Sequence, residues 1–122
     1  MAGYKSFEDT EMWQISMEVC TSVYDVSKQK DFEKDFALRD QIRRSAISIP
    51  SNIAEGFDRS GKRQTIYFLY IVKGSCGELI TQLMIARNLN YITNDQLDLL
   101  KIKIDSISKQ IRGYVKYLES KN

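Results

Sequence analysis

The sequence predicts an all-α fold: one domain over residues 1–122, built as an up-down-up-down antiparallel four-helix bundle whose second helix is kinked at Pro50. Three observations predict it. Apolar residues recur at alternating spacings of three and four in four separate stretches. The 122 residues include one proline and six glycines, too few for a turn-rich β-sandwich or a disordered linker. The segments between the periodic stretches are mostly short, as antiparallel neighbours in a bundle require.

The first helix is expected from about Phe7 to Ser27. Ser6 followed by Asp9 is an N-cap signal, and the early acids Glu8, Asp9 and Glu11 suit the helix dipole. Trp13, Met17, Cys20 and Tyr24 form one apolar row, with Met12, Ile15, Val19, Val23 and Val26 beside it. Lys28 to Asp35 is charged and aperiodic apart from Phe32, so it reads as a connection. The second helix takes up Leu38, Ile42, Ala46, Ile49, Ile53 and Phe57, and Asp58 to Arg63 has the Ser/Gly content of a turn. A third helix is expected from about Lys62 to Asn90, with Leu69, Val72, Cys76, Leu79, Leu83 and Ala86 on its core face. Ile66 to Val72 is apolar all round and should be covered on several sides. Thr93 and Gln96 form a capping box that opens the fourth helix, where Leu97, Leu100, Ile104, Ile107, Ile111, Tyr114 and Leu118 make a seam at a/d spacing. Its opposite face carries Lys109, Arg112 and Lys116. Surplus apolar surface on the first and third helices predicts a homo-oligomer, because large exposed apolar patches are rare on monomers.

Composition narrows the chemistry. There is no histidine, which removes the usual general base near neutral pH and the commonest metal ligand. The two cysteines, Cys20 and Cys76, have no Cys or His nearby, so neither a zinc site nor any other metal or cofactor is expected; both read as buried thiols packing as small hydrophobes. The N-terminus lacks the basic and apolar regions of a signal peptide, and the longest apolar run, Ile66 to Val72, is far short of a membrane span. A reduced, cytoplasmic setting is the expectation. Net charge is +2 but unevenly spread: Met1 to Val26 has one basic and five acidic residues, whereas Arg39 to Arg63 has six basic and three acidic.

The segment RSAISIPSNIAEG, Arg44 to Gly56, combines a helix breaker with short polar residues. Pro50 deletes one backbone hydrogen bond and crowds the carbonyl of Ala46, at a cost of about 3 kcal/mol or more in a helix interior. Ser48 and Ser51 are the candidates to satisfy the freed carbonyls. Gln41, Ser45, Ser48, Asn52 and Glu55 form a polar stripe beside the apolar one. In a catalytic reading Glu55 is a base, Ser48 or Ser51 a nucleophile and Asn52 an oxyanion donor. No nucleophile-base-orienter chain is present, however, and a carboxylate-activated serine without His or Lys is rare. The preferred reading is structural: Ser48, Pro50, Asn52, Glu55 and Gly56 join the second helix to a neighbouring helix or subunit. GSCGEL lacks the G-x-S-x-G spacing of a nucleophile elbow, so Gly74 and Gly77 are read as a place where another backbone packs closely. Arg39, Arg43, Arg44, Arg59, Lys62 and Arg63 form the candidate nucleic-acid-binding surface, because planar guanidinium groups suit phosphate oxygens. The bland counterpart is a solvated helix face with local pairs among Arg39, Asp40 and Arg44.

MWQISMEV (Met12 to Val19), LRDQIRRSAISIPSNIAEGFDR (Leu38 to Arg59) and YFLYIVKGSCGELITQLMIARNLNYI (Tyr67 to Ile92) resemble the four-helix-bundle proteins encoded in intervening sequences of large-subunit ribosomal RNA genes, often described as ribosomal-protein-like. The resemblance covers nearly the whole chain. It implies a four-helix bundle assembling as a homopentamer, with no known enzymatic activity. A proline common in the family's first interhelical loop is missing from KQKDFEKDF. A remoter fold likeness is to the accessory variability protein of diversity-generating retroelements, a basic pentamer that binds nucleic acid and a reverse transcriptase.

The expected function is therefore a non-catalytic, homo-oligomeric scaffold, a pentamer by resemblance, that associates with RNA or a ribonucleoprotein through the arginines around the second helix. No membrane or small-molecule substrate is expected. The alternative is a protein–protein adaptor ring with no nucleic-acid role.

Overall fold

The computed structural model describes residues 5–58 and 61–121, and among these the chain is helix and turn with no strand. A 3₁₀ turn, Phe7–Asp9, leads into five α-helices: α1 (Glu11–Val26), α2 (Lys30–Lys34), α3 (Phe36–Asp58), α4 (Lys62–Asn88) and α5 (Asn94–Glu119).

Local chemistry sets the boundaries. The expected box of Ser6 and Asp9 forms, but it caps the 3₁₀ turn, and α1 starts later, where the Thr10 hydroxyl accepts from the Trp13 amide at 3.3 Å. Lys28 to Asp35 is not a plain connection. It contains α2, whose five residues are too few for a helical period to register in the sequence. Phe32 is fully buried and stacks on Tyr91 with ring centroids 5.1 Å apart. The Tyr91 hydroxyl donates to Asp35 at 2.9 Å, and Asp35 also accepts from the Leu38 amide at 3.2 Å, in the first turn of α3. One carboxylate thus ties the start of α3 to the turn before α5. The box of Thr93 and Gln96 opens α5 as expected, with bonds of 2.9 and 3.1 Å.

Each long helix packs on two others: α3 on α1 and α4, and α5 on α1 and α4. Hydrogen bonds fix the relative directions. Gln41, Ser48 and Gly56 on α3 meet Gln82, Ser75 and Thr65 on α4, so these two helices run antiparallel. Lys103 and Gln110 on α5 meet Glu18 and Glu11 on α1, again in reversed order.

The core is close to the one the periodicity predicts. Leu69, Val72, Cys76, Leu79, Leu83 and Ala86 on α4 are all buried, as are Ile42, Ala46, Ile49 and Ile53 on α3. On α1 the row Met12, Val19, Val23 and Val26 carries the burial, while Met17 of the other row is 44% exposed. On α5 the seam holds through Ile111 and then moves to Val115, leaving Tyr114 and Leu118 only partly covered. A strict 3.5-residue repeat drifts by about 20° per heptad on a straight helix, enough to shift the buried position by the last turns. Ile66 to Val72 is not covered all round within one chain: Tyr67 is 63% and Tyr70 53% exposed. By length and composition α4 could also cross a bilayer, with a mean hydropathy of 1.2 over its most apolar window. Here its buried row faces α3 and α5, the same composition serving a core helix.

Helix α3 continues through Pro50, which is buried. The missing N–H leaves the Ala46 carbonyl without its intrahelical donor. That carbonyl is met from α1, where the Cys20 sulfur lies 3.0 Å from the Ala46 oxygen and its S–H donates to it. The expectation that Ser48 and Ser51 relieve the break is corrected. Ser48 bonds the Ser45 carbonyl, and Ser51 is exposed. Cys20 is a directed donor rather than a mere filler. Burial pushes the thiols of both Cys20 and Cys76 up to about 11, so both are protonated and poorly nucleophilic at neutral pH.

Replacing Cys20 with Val should destabilise the chain in urea by about 1–3 kcal/mol, the cost of leaving a buried acceptor unmade. Cys20→Ser, which keeps a donor, should lose less; equal losses would show that the thiol acts only by packing. The raised thiol values also set a pH dependence. A thiol that ionises later in the folded chain than in the unfolded chain favours folding fully below the unfolded value of 9.0. That contribution disappears as pH rises toward about 11, so urea midpoints should fall across this window, and less steeply in a Cys20→Ser/Cys76→Ala variant.

Candidate nucleic-acid interface and the polar seam behind it

The polar stripe of α3 faces α4. Gln41, Ser45, Ser48 and Asn52, with Arg44 at the edge, join Ser75, Glu78 and Gln82 of α4 in lining a groove of about 260 Å³. The Ser48 hydroxyl oxygen lies 2.8 Å from the Ser45 carbonyl and 2.7 Å from the Ser75 hydroxyl. With one hydrogen on each hydroxyl, Ser48 donates to the carbonyl and accepts from Ser75. The Asn52 amide donates to the Ser48 carbonyl at 2.8 Å. Gln82 donates weakly to Gln41 at 3.4 Å, and its own oxygen is a buried acceptor without a partner among the described residues. These bonds use Ser48 and Asn52, two of the groups that a catalytic reading needs. Ser48 and Glu55 are also seven residues apart, about 10 Å along the helix axis, so the carboxylate is not placed as the serine's base.

At Gly56 α3 and α4 approach closely. A Cβ there would sit 3.0 Å from the Phe68 Cβ, and the Thr65 hydroxyl donates to the Gly56 carbonyl at 2.9 Å. The expectation for Gly74 and Gly77 is corrected within the chain. Both are exposed, and a Cβ on either would meet nothing within 4 Å. Their positions fall on the outward face of α4, a quarter turn or more from the row that meets α3.

Five of the six expected phosphate-binding residues are described, and these five do not form one patch. Arg59 lies outside the described residues. Arg39 is drawn inward: its guanidinium pairs with Asp40 at 3.0 Å, donates to the Glu33 carbonyl at 3.0 Å and lies over the Phe36 ring at 4.8 Å. Arg43 donates to the Ser27 hydroxyl at 2.7 Å and covers the Tyr24 ring at 4.7 Å, so it closes the α1–α3 contact. Arg44 is exposed beside the groove. Lys62 bonds the Lys121 carbonyl at the start of α4, and Arg63 beside it is exposed. Arg44 precedes the end of α3 by fourteen residues, about 21 Å of helix, which separates it from the other two. The signal available in sequence was an excess of arginines; their distribution between inward contacts and solvent depends on partners such as Ser27 and Tyr24, remote in the chain. A cleft of about 760 Å³ lies between α2 and the turn before α5, and none of the expected site residues line it.

These two kinds of glycine should respond oppositely to alanine. Gly56→Ala has no room beside Phe68 and should lower stability by about 1–3 kcal/mol, whereas Gly74→Ala and Gly77→Ala should each raise that of the single chain by about 0.5–1 kcal/mol. Thermal melts of the three variants check this, and a loss at Gly74 or Gly77 that vanishes on dilution would place another chain over the face.

Comparison with known proteins follows the same lines. A search of curated proteins finds no match. A solved structure from Bacteroides thetaiotaomicron, of a protein of unknown function from the S23 ribosomal protein family, has the same fold at a TM-score of 0.78; it is 24% identical and the match covers 86% of this chain and 98% of that one. Residues 8–113 match the family described as 23S rRNA-intervening sequence protein, and the chain belongs to that family.

Proposed function

We propose that the chain is a non-catalytic, homo-oligomeric protein that associates with RNA or a ribonucleoprotein through a basic surface, in a reducing, cytoplasmic setting. The observation that carries the reading is the match over residues 8–113 to proteins described by a ribosomal RNA intervening sequence. The name of the solved S23 ribosomal protein relative points the same way. Arg44 and Arg63 support it as exposed guanidinium groups with no carboxylate partner among the described residues.

The circuit of helix contacts supports an up-down-up-down four-helix bundle, with α2 as an addition to it, and the unmade Pro50 bond supports a kink in α3. Self-association is supported by where the exposed apolar side chains fall. Phe36, Met84, Ile85, Leu89, Leu99 and Ile102 are 43–68% exposed and gather toward one end, where α3 begins, α4 ends and α5 begins. Five copies is the number the family resemblance implies.

Native mass measurement tests the assembly: the chain should run as an oligomer, and Leu99→Glu/Ile102→Glu should dissociate it without unfolding. A monomer would overturn this part. RNA binding should weaken steeply with salt, log affinity falling by about 0.7 per phosphate contacted for each unit of log salt. Arg44→Gln/Arg63→Gln, which spares the structural Arg43, should flatten that slope by about 1–1.5. An intact oligomer that binds no RNA even at low salt would favour the adaptor ring instead.

A further inference from the structure

We infer that the RNA-facing surface is a strip formed by the first half of α4 and the second half of α5, and that it takes single-stranded RNA. The assignment rests on the RNA reading above and names its surface. Residues 62–77 and 106–119 carry six cations, Lys62, Arg63, Lys73, Lys109, Arg112 and Lys116, against a single acid, Glu119 at the end of α5. The remaining halves of the same two helices carry three cations, Lys101, Lys103 and Arg87, against four acids, Glu78, Asp95, Asp98 and Asp105. A net charge of +2 hides this division.

The two basic segments are neighbours. Lys62 bonds the Lys121 carbonyl, Ser108 stands near enough to Cys76 to act on its thiol, and Arg87 bonds Asn94, which fixes an antiparallel register along the α4–α5 contact. In that register Tyr70 is level with Gly113 and Tyr67 with Lys116. Arg112 follows Ser108 by one turn and so lies on the side of α5 that meets α4. The side that meets α1 is marked by Lys103 and Gln110, paired with Glu18 and Glu11. Lys109, Arg112, Lys116 and Arg63 are exposed and have no ion pair or hydrogen bond among the described residues. Lys109 to Lys116 spans about 10 Å of helix, so the row can meet successive phosphates of a strand rather than a single anion.

Aromatic surface accompanies the charge. Tyr67 and Tyr70 are 63% and 53% exposed on this half of α4, and Gly113 leaves the facing stretch of α5 without a side chain. Unpaired bases stack on exposed aromatic rings while cations track the backbone, the pattern by which single strands are held without sequence preference. A duplex, whose bases already stack on one another, has no use for the rings. An acidic protein would use the cations alone.

Fluorescence anisotropy with labelled oligouridine, duplex RNA and poly-glutamate tests the assignment, each variant first checked for helicity and native mass. Lys109→Gln/Arg112→Gln/Lys116→Gln should weaken oligouridine binding by tenfold or more and flatten the salt slope by about 2. Tyr67→Ala/Tyr70→Ala should weaken oligouridine by about tenfold per stacked base and leave duplex binding unchanged. If the triple variant binds like the parent while Arg44→Gln does not, the strip is wrong and the RNA reading stands. If the parent binds no RNA, both fall. Equal binding of poly-glutamate and oligouridine, insensitive to the tyrosine pair, would overturn the single-strand assignment in favour of an acidic protein.

Discussion

The backbone N–H that Pro50 lacks is the constraint around which the rest of the packing is arranged. A helix can pass through a proline only if the acceptor left behind finds another donor or water, and the Ala46 carbonyl lies inside the core, where Ala46 is fully buried. The donor comes from α1 as the Cys20 thiol. This fixes the rotation of α1 against α3, because Cys20 must point inward while Met17, one turn earlier, is left partly in solvent. Arg43 then closes the same contact from the surface by covering Tyr24 and bonding Ser27. On its other side α3 needs polar partners and close approach together: Ser48 and Ser75 share a hydroxyl bond, and Gly56 lets Phe68 come in where any side chain would block it. The run from Ser45 to Gly56 is thus a set of answers to one missing hydrogen bond and one close helix crossing.

Most of the fold was legible because it depends on periodicity. The buried rows of α3, α4 and α5 follow from three-four spacing, and Thr93 with Gln96 announces its helix by side-chain chemistry alone. What was not legible depends on contacts remote in sequence. Nothing near Lys28 to Asp35 says that Phe32 will stack on Tyr91, 59 positions away, so α2 reads as loop. Cys20 looks like a small hydrophobe until the Ala46 carbonyl is placed opposite it. Gly74 and Gly77 have the composition of a close crossing, yet only the phase of α4, set by Leu69, Val72 and Cys76, reveals that they point away from α3.

The candidate site shows the same division between local and remote information. Arginines in sequence count as charge, but an arginine also has a planar face and five donors, and a fold can use these internally. Arg39 and Arg43 are used in that way. Lys109 and Lys116 on α5 are not used in that way: both are exposed and neither makes an ion pair among the described residues, although Asp105 and Glu119 lie within about one helical turn of them. The arginine-rich segment is therefore the more conspicuous in sequence, and the α4–α5 strip is the richer in exposed charge.

The placement of exposed apolar and basic residues constrains how copies could associate. Burying cations against one another costs free energy at short range, so an interface is better placed where charge is mixed and apolar surface is plentiful. The end that carries Phe36, Met84, Ile85, Leu89, Leu99 and Ile102 meets both conditions, and the basic half of the same two helices fails the first. Copies joined through the apolar end would keep their basic strips in solvent and add them to one surface. Weak binding of a strand by each strip would then be strengthened through effective concentration, with no new contact, provided one strand can reach several strips at once. A chain with a net charge of only +2 can by this route present a strongly basic assembly, since charge kept at one end of each copy sums where the copies meet the strand.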